Sequence, residues 1–138
     1  MNVDRARFLL LTTAIAATAA SCGDEHPASE GVAGPVGPPT KAVCPTPAPA
    51  TYANFGKDFM ARYCLRCHGS QVKGAARQGA PDDHNFDSQD EVQGLRDHID
   101  QKSGSGPAAT NTDMPRSDPK PTTDERKRLS EWLACGAP

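Results

Sequence analysis

Apolar residues recur at helical spacing in three stretches after residue 50, and the first stretch covers residues 51–63. Its aromatic residues fall at positions i, i+3, i+7 and i+11 and form one stripe: Tyr52, Phe55, Phe59 and Tyr63. This spacing predicts an amphipathic helix, and Thr51 is suited to cap it. Gly56 interrupts the stretch at a cost of roughly 1 kcal/mol relative to Ala, which indicates that another part of the chain comes close there.

The second stretch predicts one helix that begins at Ser88. Asp90 and Glu91 suit its first turn, because carboxylates are favourable near a helix N-terminus. Its apolar face has the spacing i, i+3 and i+7 and consists of Val92, Leu95 and Ile99. The Ser and Gly residues of positions 103–106, followed by Pro107, are expected to end this helix.

The third stretch predicts the last helix, which begins at a Thr122-x-x-Glu125 capping box and ends before Gly136. Residues at i, i+3 and i+4 form its predicted buried face: Leu129, Trp132 and Leu133. Three consecutive basic residues are expected to face solvent: Arg126, Lys127 and Arg128. The three predicted helices place the folded domain at residues 51–138.

Residues 1–21 are typical of an export signal, because two arginines precede the uncharged run 8–20 and small residues follow it. This run has 13 residues, fewer than the roughly 20 that span a bilayer. The sequence that ends the signal, Ala19-Ala20-Ser21-Cys22, is similar to a bacterial lipobox. The similarity implies that Cys22 becomes the first residue and carries a lipid. The alternative is ordinary secretory cleavage, which would leave Cys22 as a free thiol.

Residues 22–50 are predicted to form a flexible tether that begins at Cys22. Positions 23–50 hold seven prolines, four glycines and no Phe, Trp or Tyr. Such a composition favours extended chain and cannot build a core. We therefore expect an anchored but mobile domain.

Composition excludes one class of function and indicates a cofactor. Only 36% of the residues are hydrophobic, and a domain of this size buries little apolar surface, so a large planar apolar cofactor would supply part of the core. The net charge is −2 and the sequence pI is about 6.0. Because the chain has no basic stripe, nucleic-acid binding is excluded.

The motif Cys64-x-x-Cys67-His68 directly follows the first predicted helix. Two thiols at this spacing can bond to the two vinyl groups of a haem while the adjacent imidazole ligates the iron. The motif is therefore interpreted as an attachment site for haem c, with His68 as the proximal ligand. The alternatives are half of a zinc site and a redox-active thiol pair. Zinc needs further ligands at finger spacing and a redox pair expects a βαβ context, and the sequence offers neither.

Four features together resemble the small single-haem class I cytochromes c: Gly56-Lys57-Asp58-Phe59, the haem motif, Asp113-Met114-Pro115 and Trp132-Leu133. The resemblance covers residues 51–138. It implies an all-α fold of three to four helices around one covalently attached haem, with the N- and C-terminal helices crossing. In that family the glycine of the first helix packs against an aromatic side chain of the last helix, which implies contact between Gly56 and Trp132.

The same resemblance implies a partner for the proximal histidine. A ligating His usually donates its second ring N–H to an acceptor that fixes the ring. In class I cytochromes c this acceptor is a proline carbonyl about a dozen residues beyond the motif. Pro81 lies 13 residues after His68 and takes this role by resemblance.

Met114 is the predicted distal ligand of the haem iron. It lies in the polar loop 110–115, where a thioether has no packing reason to be, 46 residues after the proximal histidine. Met60 belongs to the helix that enters the motif. His84 and His98 remain as alternatives. The choice matters because His/Met ligation raises the reduction potential relative to bis-His ligation.

The five cysteines fit one assignment. If Cys64 and Cys67 carry haem and Cys22 carries lipid, then Cys44 and Cys135 are left as a pair in an oxidising compartment. The resembled fold brings the two flanking helices together, so we predict a disulfide, with two unrelated thiols as the alternative. Loop closure would contribute on the order of 4 kcal/mol.

Charged residues segregate along the domain. Four basic residues lie around the haem motif without an intervening acid: Arg62, Arg66, Lys73 and Arg77. Residues 82–100 carry seven acids against one arginine. Such asymmetry can orient a redox partner during encounter. The alternative is an ordinary solvated surface.

Together these features predict a non-enzymatic carrier of single electrons between partner proteins. The protein is expected to be monomeric and anchored by its lipid at the periplasmic face of a bacterial membrane, with the outer membrane slightly favoured. Three alternatives stay open at this point. They are an electron-entry subunit of a larger oxidoreductase, a weak peroxidase if Met114 detaches, and a haem-based ligand sensor.

Overall fold

The computed structural model describes residues 36–47 and 50–138. The predicted signal peptide 1–21, the predicted lipid attachment residue Cys22 and the tether residues 23–35, 48 and 49 lie outside the described residues. Within the described ranges the fold is all-α, because it contains helices and no β-strand. One isolated antiparallel bridge joins Ser105 to Thr110.

Five α-helices form the described part of the chain: α1 (Lys57–Tyr63), α2 (Leu65–His68), α3 (Gln89–Gly94), α4 (Arg96–Ser103) and α5 (Thr123–Ala134). A π-helical turn, Tyr52–Gly56, leads into α1, and a 3-10 turn covers Gly74–Arg77. Apolar residues of the first, middle and last helices meet in one core, to which Phe86 is added from a loop.

The first predicted helix is present as the π turn and α1. Thr51 caps it: its hydroxyl accepts from the Asn54 N–H at 3.2 Å, and the Asn54 side chain accepts from the Thr51 N–H at 2.7 Å. The aromatic stripe faces inward, since Phe55, Phe59 and Tyr63 are buried. Both the cap and the apolar face predicted from the sequence are confirmed.

Gly56 lies against the indole ring of Trp132. A Cβ atom added to Gly56 would lie 2.4 Å from Cζ2 of Trp132, which is closer than any real contact. Trp132 is fully buried, and Phe55 packs edge-on against its ring with centroids 5.8 Å apart. The predicted contact between Gly56 and Trp132 is confirmed.

The middle stretch forms two helices instead of the one predicted. Ser88 caps α3 through a capping box with Glu91, as its sequence position suggests. The helix then breaks at Leu95, which has φ −114° and ψ 14°. The residue before the break is Gly94, and glycine is the poorest helix former apart from proline. Val92 and Ile99 still share the core despite the break.

The last helix is largely as predicted. Thr122 and Glu125 form the capping box, with the Thr122 N–H donating to the Glu125 carboxylate at 2.8 Å. Leu129, Trp132 and Leu133 form the buried face. The expectation for Arg126 was wrong, because this residue is only 3% exposed. Arg126 lies three positions before Leu129 and seven before Leu133, and therefore on the same helix face as these buried leucines.

Residues 36–44, here called the strap, pack against the domain although the sequence assigned them to the tether. Thr40 is 1% exposed. Its N–H and hydroxyl donate to the Asp100 carboxylate at 3.0 and 2.8 Å, and its carbonyl accepts from Ala108 N–H at 2.9 Å. Ser130 of α5 donates to the same carboxylate at 2.6 Å. The folded domain therefore includes the strap, and the boundary predicted at residue 51 was wrong.

A disulfide between Cys44 and Cys135 joins the end of the strap to the end of α5. The pairing predicted from cysteine parity is thus present. It closes a loop with a sequence separation of 91 residues, and long loops lose the most unfolded-state entropy on cross-linking. Among the helices of the described ranges, none combines the length and apolar character needed to cross a membrane.

Replacement of Gly56 by Ala is expected to lower the free energy of unfolding by about 2 kcal/mol, because the new methyl group would overlap a buried indole ring that cannot move away. Urea denaturation measures the change. Gly94→Ala is the matched control, since a Cβ at Gly94 would have no neighbour within 4 Å. It should leave stability unchanged or raise it by up to about 1 kcal/mol. Equal effects of the two substitutions would contradict the steric explanation.

Candidate functional site

One cavity brings together the residues that the sequence singled out. Its open space, counted together with the solvent at its mouth, is about 880 Å³. Cys64, Cys67, His68 and Met114 all line it. The remaining wall comes from loop 77–86, from α4 and from residues 115–117.

The haem motif forms the short helix α2. The N–H groups of Cys67 and His68 both reach the carbonyl oxygen of Cys64, at 3.1 and 2.9 Å. One helical turn therefore carries all three motif side chains to the cavity wall, because residues three and four apart share a helix face. Both thiols are free. Burial raises the pKa of the Cys64 thiol to about 12, so this thiol is a poor nucleophile in the folded chain.

The imidazole of His68 is held on two sides. Its Nδ1 lies 2.9 Å from the carbonyl oxygen of His84, and its ring stacks on Phe86 with centroids 4.6 Å apart and planes 20° apart. Because Nδ1 donates to this carbonyl, Nε2 is left as the free acceptor that a metal needs. Burial lowers the pKa of His68, which favours the neutral imidazole.

The role given to Pro81 was wrong, because the carbonyl that faces His68 belongs to His84. The Pro81 carbonyl accepts instead from the Arg77 guanidinium and from the N–H of His84 at 3.1 Å. The acceptor thus lies 16 residues after the proximal histidine. Pro81 still lines the cavity.

Arg77 organises the loop on the proximal side. It is 2% exposed and its guanidinium donates to the backbone carbonyls of Gly69, Val72, Ala80, Pro81 and His84. Its charge is therefore not part of the basic surface that the sequence suggested around the motif. The same His84 carbonyl receives Arg77 at 3.2 Å and faces His68. Arg77 thus holds in place the His84 carbonyl that fixes the His68 ring.

Met114 lines the cavity from an irregular loop. Both its backbone N–H and its backbone carbonyl form hydrogen bonds. Its N–H donates to the Lys102 carbonyl at 2.9 Å. Its carbonyl accepts from the Ser103 hydroxyl at 3.2 Å and from the Arg126 guanidinium at 2.8 Å. Both flanking elements of the loop, α4 and α5, therefore hold the predicted distal ligand.

His84 and His98 also line the cavity, so the structure keeps both alternatives to Met114. Their rings meet edge to face with centroids 4.9 Å apart. His84 is engaged elsewhere, since its Nδ1 lies 2.8 Å from the Asp83 carboxylate. Burial lowers the pKa of His98 and favours its neutral form.

The lining fits an apolar cofactor that carries carboxylates. Tyr63, Phe86 and Ile99 provide apolar and aromatic surface. Four cationic residues contribute to the wall: Arg66, Arg77, Lys102 and Arg116. Two of them have partners within the protein, since Arg77 donates to loop carbonyls and Lys102 pairs with Asp113 at 2.9 Å. None of the described residues that line the cavity is an Asp or Glu. Haem has an apolar macrocycle and two propionates, so this lining and the two free thiols suit it. Within the described ranges, the cavity included, no three His, Cys, Asp or Glu residues are grouped to hold a metal ion.

Three residues of the site were missed or misjudged from the sequence: Arg77, Phe86 and Arg126. Arg126 carried a usable signal, because it lies on the periodic apolar face of its helix. Arg77 and Phe86 carried none, since both lie in a loop without periodicity and their partners are set by the path of the backbone.

Comparisons of the chain with protein-family models, with curated proteins and with solved structures found no match.

Substitution of Arg77 by Ala is expected to lower the free energy of unfolding by about 3 kcal/mol, because several buried carbonyl groups would lose their donor. Chemical denaturation of the variant measures this loss. Lys73→Ala is the matched control, because Lys73 is an exposed basic residue of the same loop and should change stability by less than about 0.5 kcal/mol. If Arg77→Ala changed the free energy of unfolding as little as Lys73→Ala does, Arg77 would act as an ordinary surface charge.

Proposed function

We propose that this protein is a single-electron carrier of the class I cytochrome c type. One haem c would be attached through Cys64 and Cys67, with His68 and Met114 as the axial ligands. The observation that carries the proposal is that these four side chains line one cavity, although His68 and Met114 are 46 residues apart in the chain.

The residues around the cavity favour electron transfer over catalysis. Bound haem supplies a one-electron Fe(III)/Fe(II) couple whose potential depends on the axial ligands. With both axial positions occupied by side chains, the protein would offer no position for a substrate. The backbone bonds at Met114 oppose its release, and release is what a peroxidase or a ligand sensor would require.

A carrier of lower potential is the second candidate. His98 lines the same cavity and has no hydrogen-bond partner in the described part of the chain, so its ring nitrogens are available. Ligation by His98 in place of Met114 would keep the electron-transfer role and lower the potential, because imidazole stabilises Fe(III) more than a thioether does.

The location of the carrier is the second part of the proposal. Export and a lipid on Cys22 would place the domain on the periplasmic face of a membrane, where the Cys44–Cys135 disulfide is stable. Gly37 lies 15 residue steps after Cys22 and donates a hydrogen bond from the strap to the Gln101 carbonyl at 3.2 Å. These steps span at most about 50 Å. The domain would therefore stay within about 50 Å of its membrane and exchange electrons with partners there.

Met114→Ala tests the ligand set. The purified wild-type holoprotein should keep its haem after denaturation and show the weak far-red band of sulfur-to-iron charge transfer in its oxidised spectrum. The band should vanish in Met114→Ala and persist in Met60→Leu, which replaces a buried core methionine and serves as the control. A wild-type protein without covalent haem would refute the function. Covalent low-spin haem without the band would move the distal ligand to a histidine.

Cys22→Ala tests the anchor. In the native host or a bacterium that matures lipoproteins and c-type cytochromes, wild-type protein should sediment with membranes. The variant should be retained in the inner membrane as uncleaved precursor or appear in the soluble fraction, with its haem still attached. Identical lipid labelling and fractionation of the two proteins would contradict lipidation at Cys22.

A further inference from the structure

Arg126 is the second buried arginine of the domain, and its contacts converge on one segment. One terminal guanidinium nitrogen lies 2.9 Å from the Ser103 carbonyl, 3.0 Å from the Asn111 carbonyl and 2.8 Å from the Met114 carbonyl. The Arg126 carbonyl also accepts from Ser105 N–H at 3.2 Å. Arg126 therefore bonds to the loop between α4 and Met114 at its start, in its middle and at its end.

No carboxylate in the described part of the chain forms an ion pair with Arg126. A buried cation is costly unless its surroundings solvate it, and three carbonyl dipoles provide that solvation here. A lysine side chain is one bond shorter than an arginine, so its ammonium would not reach all three carbonyls from the same backbone position. The acceptors of Arg126 belong to the loop that carries Met114.

The other bonds at the Met114 backbone come from a different helix. Lys102 and Ser103 both belong to α4, which directly precedes the loop. Arg126 belongs to α5, which packs through Trp132 against Gly56 in the first helical segment. Only Arg126, among the described residues, joins the Met114 carbonyl to that helix pair.

We propose that Arg126 is the positioning residue that holds Met114 in place as distal ligand. The proposal rests on the function proposed above, and concerns how the chain keeps the thioether at the cavity. Without the guanidinium, the Asn111 carbonyl loses its side-chain donor and the Met114 carbonyl keeps only the Ser103 hydroxyl. The loop then gains alternative conformations in which Met114 is withdrawn. An external ligand would then compete for the iron more easily, because it no longer has to displace a pre-positioned side chain.

Competition by imidazole measures this directly on the oxidised holoprotein. In wild-type protein, imidazole should displace Met114 only at high concentration, seen as loss of the far-red band. In Arg126→Ala the concentration for half-displacement should fall about tenfold or more, the effect of losing one hydrogen bond from a charged donor. Arg126→Lys should fall between the two, because it keeps the charge but is one bond shorter and cannot reach all three carbonyls.

Two controls separate positioning from general loosening. Lys127→Ala removes the adjacent exposed cation of the same helix and should leave the imidazole titration unchanged. Leu133→Ala removes a buried side chain of α5 without touching a bond of the loop. It should lower the melting temperature at least as much as Arg126→Lys while leaving the half-displacement concentration near the wild-type value.

The outcomes are distinct. A wild-type far-red band with a lowered half-displacement concentration only in the Arg126 variants supports the positioning role. Equal shifts in Leu133→Ala and Arg126→Lys would overturn it, since loosening alone would explain them. An unchanged titration in Arg126→Lys and Arg126→Ala would also overturn it. Absence of the band in wild-type protein would refute His/Met ligation itself, which separates failure of the function from failure of this inference. If Arg126→Ala does not fold, Arg126→Lys carries the test.

Discussion

Two buried guanidinium groups donate hydrogen bonds to the backbone carbonyls of the irregular loops around the cavity. The rest of the site depends on these hydrogen bonds. Loops that line a cavity cannot pair their carbonyl groups as helices do, yet buried carbonyls need donors. Arg77 supplies them on the proximal side and Arg126 on the distal side. Each guanidinium offers several donors from one rigid plane, so a single side chain can fix several turns of loop. The two side chains proposed as axial ligands therefore lie on backbone that buried cations hold through carbonyl groups.

The helices give these arginines a fixed frame. Gly56 allows the first helical segment to approach Trp132 of α5, while the strap ties α4 to α5 through Asp100, which accepts from both Thr40 and Ser130. The disulfide fixes the end of α5 to the same strap. Because α5 also carries Arg126, packing at the helix pair and the conformation of the distal loop are connected through one rigid element.

Local patterns predicted what local physics determines. The three capping residues and the aromatic stripe could be predicted, since caps and periodicity depend on neighbours in sequence. The contact of Gly56 with Trp132 joins distant parts of the chain and was predicted only from the family resemblance. The carbonyl opposite His68 could not, because it depends on how loop 69–85 folds around Arg77. The packing of the strap could not be predicted either. Its prolines and glycines indicate extended chain, but its contact with the domain depends on the distant acceptor Asp100. Gly94 explains the break at Leu95 after the fact. A single glycine in a helical pattern does not by itself predict a break.

The two sides of the cavity differ in what keeps their ligand in place. His68 lies in a helical turn, next to the cysteines proposed to bond to haem, and its ring is fixed by Phe86 and by a carbonyl. Met114 lies on a loop, and backbone hydrogen bonds to Lys102, Ser103 and Arg126 hold it there. If the cavity binds haem as proposed, a change of ligation would be easier on the Met114 side. Carrier, peroxidase and sensor would differ in the occupancy of that one position, so the strength with which α5 holds the Met114 loop would decide among them.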